Sequence, residues 1–155
     1  MDLSKYFERN DGSLPEVEVK FPNRSAVSVA FKHLYDRGAR NVTVNGGYVW
    51  IKETQSEKPF GGPEDAVLVA SGAAEAFHVV LGGIAGTDCP IPDLGVFVFT
   101  DSLALDYRMG SDWGPPEIQS WLELLRQLLG LGGEVSVPWW GADGERDFLV
   151  ALSST

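Results

Sequence analysis

Asp93, Asp101, Asp106 and Asp112 are the residues of this chain whose type and spacing could do chemistry. Two carboxylates held roughly 5 to 10 Å apart, one protonated and one ionised, can divide general acid and general base work between them. That chemistry needs two of the four in one cleft, which spacing along the chain does not dictate. The remaining reactive groups are thinner. His33 falls in a helical pattern beside Lys32, and His78 falls in an apolar β-rich run. Neither has a second His, Cys or acid at the spacing of a metal site, so both read as structural. Cys89, in Thr-Asp-Cys-Pro-Ile-Pro, has Asp88 beside it, and a neighbouring carboxylate raises a thiol pKa. A loop cysteine outside catalysis is expected. Gly61-Gly62-Pro63-Glu64-Asp65 lacks the lysine and helix start of a P-loop. Leu81-Gly-Gly-Ile-Ala-Gly lacks the dinucleotide-loop spacing and is followed by Pro90 and Pro92 instead of a helix. No cofactor and no metal are implied, and an enzyme is not the expected class.

Charge supplies a second reading of the same aspartates. The chain has 155 residues and a formal net charge of −10. Residues 1–78 hold nine Lys/Arg against eleven Asp/Glu, whereas residues 79–155 hold only Arg108, Arg126 and Arg146 against eleven. The second half also carries Trp113, Trp121, Trp139 and Trp140. Acid interleaved with large aromatics suits a surface that docks onto a basic protein, and it repels the phosphates of nucleic acid. The candidate partner-binding residues are Asp93, Asp101, Asp106, Tyr107, Asp112, Trp113 and Trp140. A solvated acidic face that aids only solubility is the plainer alternative. A small-ligand module with a pocket between loop 54–65 and the sheet is another.

The elements that must position these residues follow from periodicity and turn chemistry. The length fits a single α+β domain over 1–155. Residues 2–9 have helical spacing. Pro15 to Phe21 alternates as a half-buried strand. Residues 25–37 read as a helix capped by Asn23 or Ser25 and stopped at Gly38. Asn45-Gly46 predicts a type I′ turn between strands at 41–45 and 47–53. Residues 54–65 are a polar loop. Ala66–Ala70 and 77–81 read as strands, with a helix over 73–80 as the alternative for the latter. Residues 82–94 form a loop. Gly95–Thr100 and Leu103–Arg108 form a hairpin, with Leu103, Leu105 and Tyr107 on one face and Ala104, Asp106 and Arg108 on the other. Asp106 should therefore face outward, with Asp101 and Asp112 exposed at element ends. Asp112-Trp-Gly-Pro-Pro-Glu starts a helix that runs to about Leu129. Glu134–Pro138 and Asp147–Leu152 close the chain as strands. Adjacent Trp139 and Trp140 cannot both enter one core from a strand. The expected architecture is a mainly antiparallel sheet built from hairpins, with two main helices packed on it.

Size, acidity and the segment Leu103-Ala-Leu-Asp-Tyr-Arg-Met-Gly-Ser-Asp-Trp-Gly-Pro-Pro-Glu together resemble bacterial toxin-immunity proteins. That resemblance implies a stoichiometric inhibitor whose acidic patch covers a basic toxin domain. The N-terminus has no signal-peptide core and no apolar run spans a bilayer, so a cytoplasmic protein without a membrane partner is expected.

Overall fold

The computed structural model describes residues 2–154. Alternation builds β1 (Glu16–Lys20), which buries Val17 and Val19 and turns Glu16, Glu18 and Lys20 the other way. Helix α1 (Arg24–Asp36) begins where the Asn23 side chain accepts the Ala26 N–H at 2.9 Å, and it buries Val27, Ala30, Phe31 and Leu34. Then come β2 (Arg40–Asn41), β3 (Tyr48–Ile51), β4 (Ser56–Pro59), α2 (Asp65–Ala70), β5 (Phe77–Gly82), β6 (Leu94–Val98) and β7 (Ser102–Tyr107). Helix α3 (Pro115–Gly130) starts on two prolines, with the Glu117 carboxylate accepting the Gly114 N–H at 3.0 Å. The chain closes with β8 (Glu134–Ser136) and α4 (Gly141–Ser153).

Six strands form one sheet in the order β2-β5-β6-β7-β1-β8, antiparallel at every pairing, and β3–β4 is a separate two-stranded sheet. One face of the large sheet presents Val79, Leu81, Leu94, Val96, Leu103, Leu105, Tyr107, Val17 and Val19 to a single core. Phe31 and Leu34 of α1, Trp121, Leu125 and Leu128 of α3, and Phe148 of α4 complete that core. His33 Nε2 meets Gln127 Oε1 at 2.7 Å and so ties α1 to α3. This is the α+β architecture expected. No helix among the described residues is long and apolar enough to cross a membrane.

Several elements depart from the sequence reading. Residues 2–9 give only a single 3-10 turn at Ser4–Tyr6, because Phe7 turns inward to stack on Tyr107 at 4.6 Å. Asn45 and Gly46 do adopt positive φ, at 62° and 83°, but the flanking segments do not pair with each other. The β2 segment pairs with β5, while β3 pairs with β4, so the hairpin is shifted into the segment read as a loop. Residues 65–70 are helical rather than extended. Asp65, Ala66 and Val69 are their buried residues, a helical spacing, and Val67 faces solvent. Residues 147–152 belong to α4, not to a strand. Gly144, Phe148, Ala151 and Leu152 make its buried stripe, while Leu149 and Val150 are exposed.

The start of α2 is held by a buried ion. Asp65 is 2% exposed, and its Oδ2 accepts from Lys58 Nζ at 2.8 Å and from the Gly61 N–H at 2.7 Å. This clasp fastens β4 to α2.

Candidate functional site

With the helices and the core on one side, the opposite face of the six-stranded sheet is left uncovered. Strand register arranges its side chains in rows. Val80, Gly95, Asp106 and Glu16 form one row across β5, β6, β7 and β1. His78, Phe97, Ala104, Glu18 and Ser136 form the next, reaching β8. Phe99 stacks on Phe97 with centroids 5.6 Å apart and extends the face past the end of β6. The face is thus divided lengthwise. Phe97 and Phe99, 36% and 37% exposed, make its apolar half with Val42 and Val80. Asp106, Glu16 and Glu18 make its acidic half.

The centre of the face is a built arrangement. A strand-interior glycine often marks a close approach by another group. At Gly95 that group is the Asp106 carboxylate, which occupies the space a Cβ would take. His78 Nε2 reaches Asp106 Oδ2 at 2.8 Å, and its ring lies 4.4 Å from that of Phe97. Asp93 repeats the device one row away, with its carboxylate over Gly82.

Glu16 stands directly opposite Asp106. Its carboxyl is pushed above the ordinary value, first by burial and then by the charges of Glu18 and Asp106, with His78 opposing. A folded-state pKa above the unfolded one favours the protonated form. The resulting stability is present at low pH and lost as pH rises through the folded-state value. Glu16→Gln is therefore expected to raise the melting temperature at neutral pH, with the gain shrinking as pH falls below the ordinary carboxylate range, where the wild-type carboxyl is protonated too. Melting curves at neutral and at acid pH check this. A gain independent of pH would mean that charge at Glu16 is not the cause.

The residues singled out from sequence fall into three places. Asp93 and Asp112 come together around a hollow of about 420 Å³ that Arg108 and Glu117 also line. Asp101 lies at the far end of the sheet, beside a hollow of about 580 Å³ with Lys52, Glu75 and Phe99. Asp106 does face outward, yet it is only 7% exposed, because His78 and the Gly95 backbone enclose it. The four aspartates do not share one cleft. Tyr107 and Trp113 are in the core, at 0% and 7% exposure, because they pack with Phe7 and Trp121. Trp140 is half-buried against Tyr6, and its Nε1 donates to Tyr107 Oη at 3.1 Å. The exposed indole of that pair is Trp139.

Phe97, Phe99, Glu16 and Glu18 were not singled out by sequence, and His78, read there as structural, is the hydrogen-bond partner of Asp106 on this face. Gly95 was the available signal, a lone glycine inside an otherwise bulky strand with Phe97 on its own face. Cys89 lies off this face, with Sγ 3.8 Å from Ser120 Oγ. Burial, and then the Glu117 and Asp88 carboxylates, push its thiol above the ordinary value, against the Ser120 hydrogen bond, which lowers it. No group of three or more His, Cys, Asp or Glu among the described residues could hold a metal ion. Comparison with family models, with curated proteins and with solved structures gives no match.

Proposed function

We propose that this chain is a stoichiometric binding protein that covers a basic protein partner, in the manner of toxin-immunity proteins, through the uncovered face of its sheet. One observation carries the reading: stacked, exposed Phe97 and Phe99 lie alongside Asp106, Glu16 and Glu18 on a face that no helix covers. Exposed aromatics supply the desolvated centre of an interface, where most binding energy concentrates. Neighbouring carboxylates steer a cationic partner and disfavour wrong ones. An overall charge of −10 acts in the same direction and against nucleic acid. A toxin domain with a basic active-site cleft is the partner class that fits, and an intracellular site of action goes with it.

The test is affinity capture from cells of the source organism with tagged wild type, Phe97→Ala and Glu18→Lys, at low and high salt, read by mass spectrometry. One basic protein in stoichiometric amount is expected with wild type. Phe97→Ala is expected to weaken its retention by about thirtyfold, the scale of an interface hot spot. Glu18→Lys should slow association, most at low salt. If both variants retain the same proteins as wild type, the sheet face is not the docking surface and the reading falls.

A further inference from the structure

His78 is the histidine of the bare face, and it is built into the acidic half. We infer that docking is under proton control: on mild acidification His78 and Glu16 take up protons, the face loses negative charge, and a basic partner is released. The inference rests on the docking function proposed above and adds its regulation.

An ionised carboxylate only accepts, so the proton shared at 2.8 Å with Asp106 Oδ2 belongs to His78 Nε2. The ring makes no other hydrogen bond among the described residues, and 31% of the side chain is exposed. Water therefore reaches the ring, and Nδ1 is free to take a second proton. The resulting cation stays beside a carboxylate that has little room to move, since Asp106 is 10% exposed at its side chain and lies over Gly95. The hydrogen bond is kept in both states. What changes is the charge of the pair, from one negative to none.

The surroundings favour that proton. His78 is the only titratable group of β5, and β6 has none. Asp106 faces it from β7, with Glu16 and Glu18 beyond on β1. Lys20 stands at the far end of β1, opposite Glu134 of β8. Arg40 of β2 lies beside Gly83 and Asp93 over Gly82, both past the other end of β5. Lys52 and Glu75 line the hollow near its start. Carboxylates are thus the charges nearest the ring. Burial, Glu18 and Asp106 also hold the Glu16 carboxyl above its ordinary value, so it follows His78 in taking a proton as pH falls. Glu18 then keeps the one uncompensated charge of the three carboxylates. A docked cation opposes both proton uptakes, and by linkage both uptakes oppose docking.

The test reads the charge of the face on the full chain. Amide relaxation is measured with a cationic and with an anionic nitroxide, whose ratio reports the local potential. At Gly95, Phe97 and Ala104 the cation is expected to be preferred at about pH 7.5, and the preference should fall about threefold by about pH 5.5. The fall should follow the titration curve of the His78 ring. His78→Gln keeps a donor for Asp106 but cannot charge, and it should retain most of the preference. Glu16→Gln should begin with a smaller preference and still lose it with His78. An unchanged preference in wild type, a fall that does not follow the His78 ring, or an equal fall in His78→Gln would overturn the inference. Should His78→Gln not fold, the wild-type curve and Glu16→Gln decide. A face that loses charge as expected, with no partner captured at either pH, ends the docking reading alone. A captured partner held as firmly at about pH 5.5 as at about pH 7.5 ends the proton control alone.

Discussion

Asp65→Ala is expected to lower the unfolding free energy by about 3 kcal/mol, the lower end of the range for breaking one side of a buried ion pair. Asp65 is almost wholly enclosed, and two donors depend on it, Lys58 Nζ and the Gly61 N–H. Removing the carboxylate takes the acceptor from the Gly61 N–H, which sits on an exposed residue, and the counter-ion from Lys58. Lys58, with 35% of its side chain exposed, can swing back toward water, which keeps the effect from the upper end. Against a typical total of about 5 to 15 kcal/mol this is a large fraction. The damage should centre on α2 and the β3–β4 sheet, because Asp65 opens the helix and Lys58 belongs to the hairpin. Urea unfolding gives the magnitude, and amide exchange gives the location. A loss below about 1 kcal/mol would mean that the clasp contributes no more than an exposed pair does.

Gly95→Ala should have the second largest effect, and it acts without removing any polar group. A methyl at that position overlaps both oxygens of Asp106. The carboxylate must rotate away, and the His78 bond at 2.8 Å goes with it. Leaving a mostly buried acceptor without its donor costs about 1 to 3 kcal/mol. The His78 ring signals should move toward those of a solvated imidazole, and docking through this face should weaken, since Asp106 no longer lies in place beside Glu16. Gly130→Ala is the control. It stands at the exposed end of α3, a methyl there meets nothing within 4 Å, and it should be neutral or stabilising by up to about 1 kcal/mol. Equal effects of the two substitutions would dissociate Gly95 from the Asp106–His78 pair.

The hairpin-built sheet was legible because strict alternation in β1 and β7, and the Gly-Pro-Pro-Glu start of α3, are local signals that tertiary packing reinforces. What escaped was non-local. The positive φ of Asn45-Gly46 was readable, but which strands flank that turn depends on β5, far along the chain. Phe148 to Leu152 is a short apolar run that reads equally well as strand or helix. Its spacing becomes decisive only when Tyr6 and Phe7 arrive to cover Phe148. The acidic character of the site was visible in the charge distribution, and Asp106 was on the correct face of its strand. Its partner was not visible: His78 lies 28 positions away, and only the register of β5, β6 and β7 carries it across Gly95. Tyr107 and Trp113 misled for the opposite reason. Aromatics near acids in sequence look like interface residues, yet these two face the core that Phe7 closes.

The outermost strands of the large sheet, β2 and β8, are two and three residues long. Beyond β2, the Thr43 hydroxyl takes the Val80 N–H at 2.8 Å, and at the end of β8 the Glu145 carboxylate takes the Val137 N–H at 2.9 Å. Side chains thus occupy main-chain donors that another polypeptide would need in order to extend the ladder. Such blunted edges resist head-on polymerisation of sheets, a hazard for any protein that keeps a broad face bare. For the docking proposed above, such short edges favour a partner that comes down onto the pleat, side chain against side chain, over one that joins as a seventh strand.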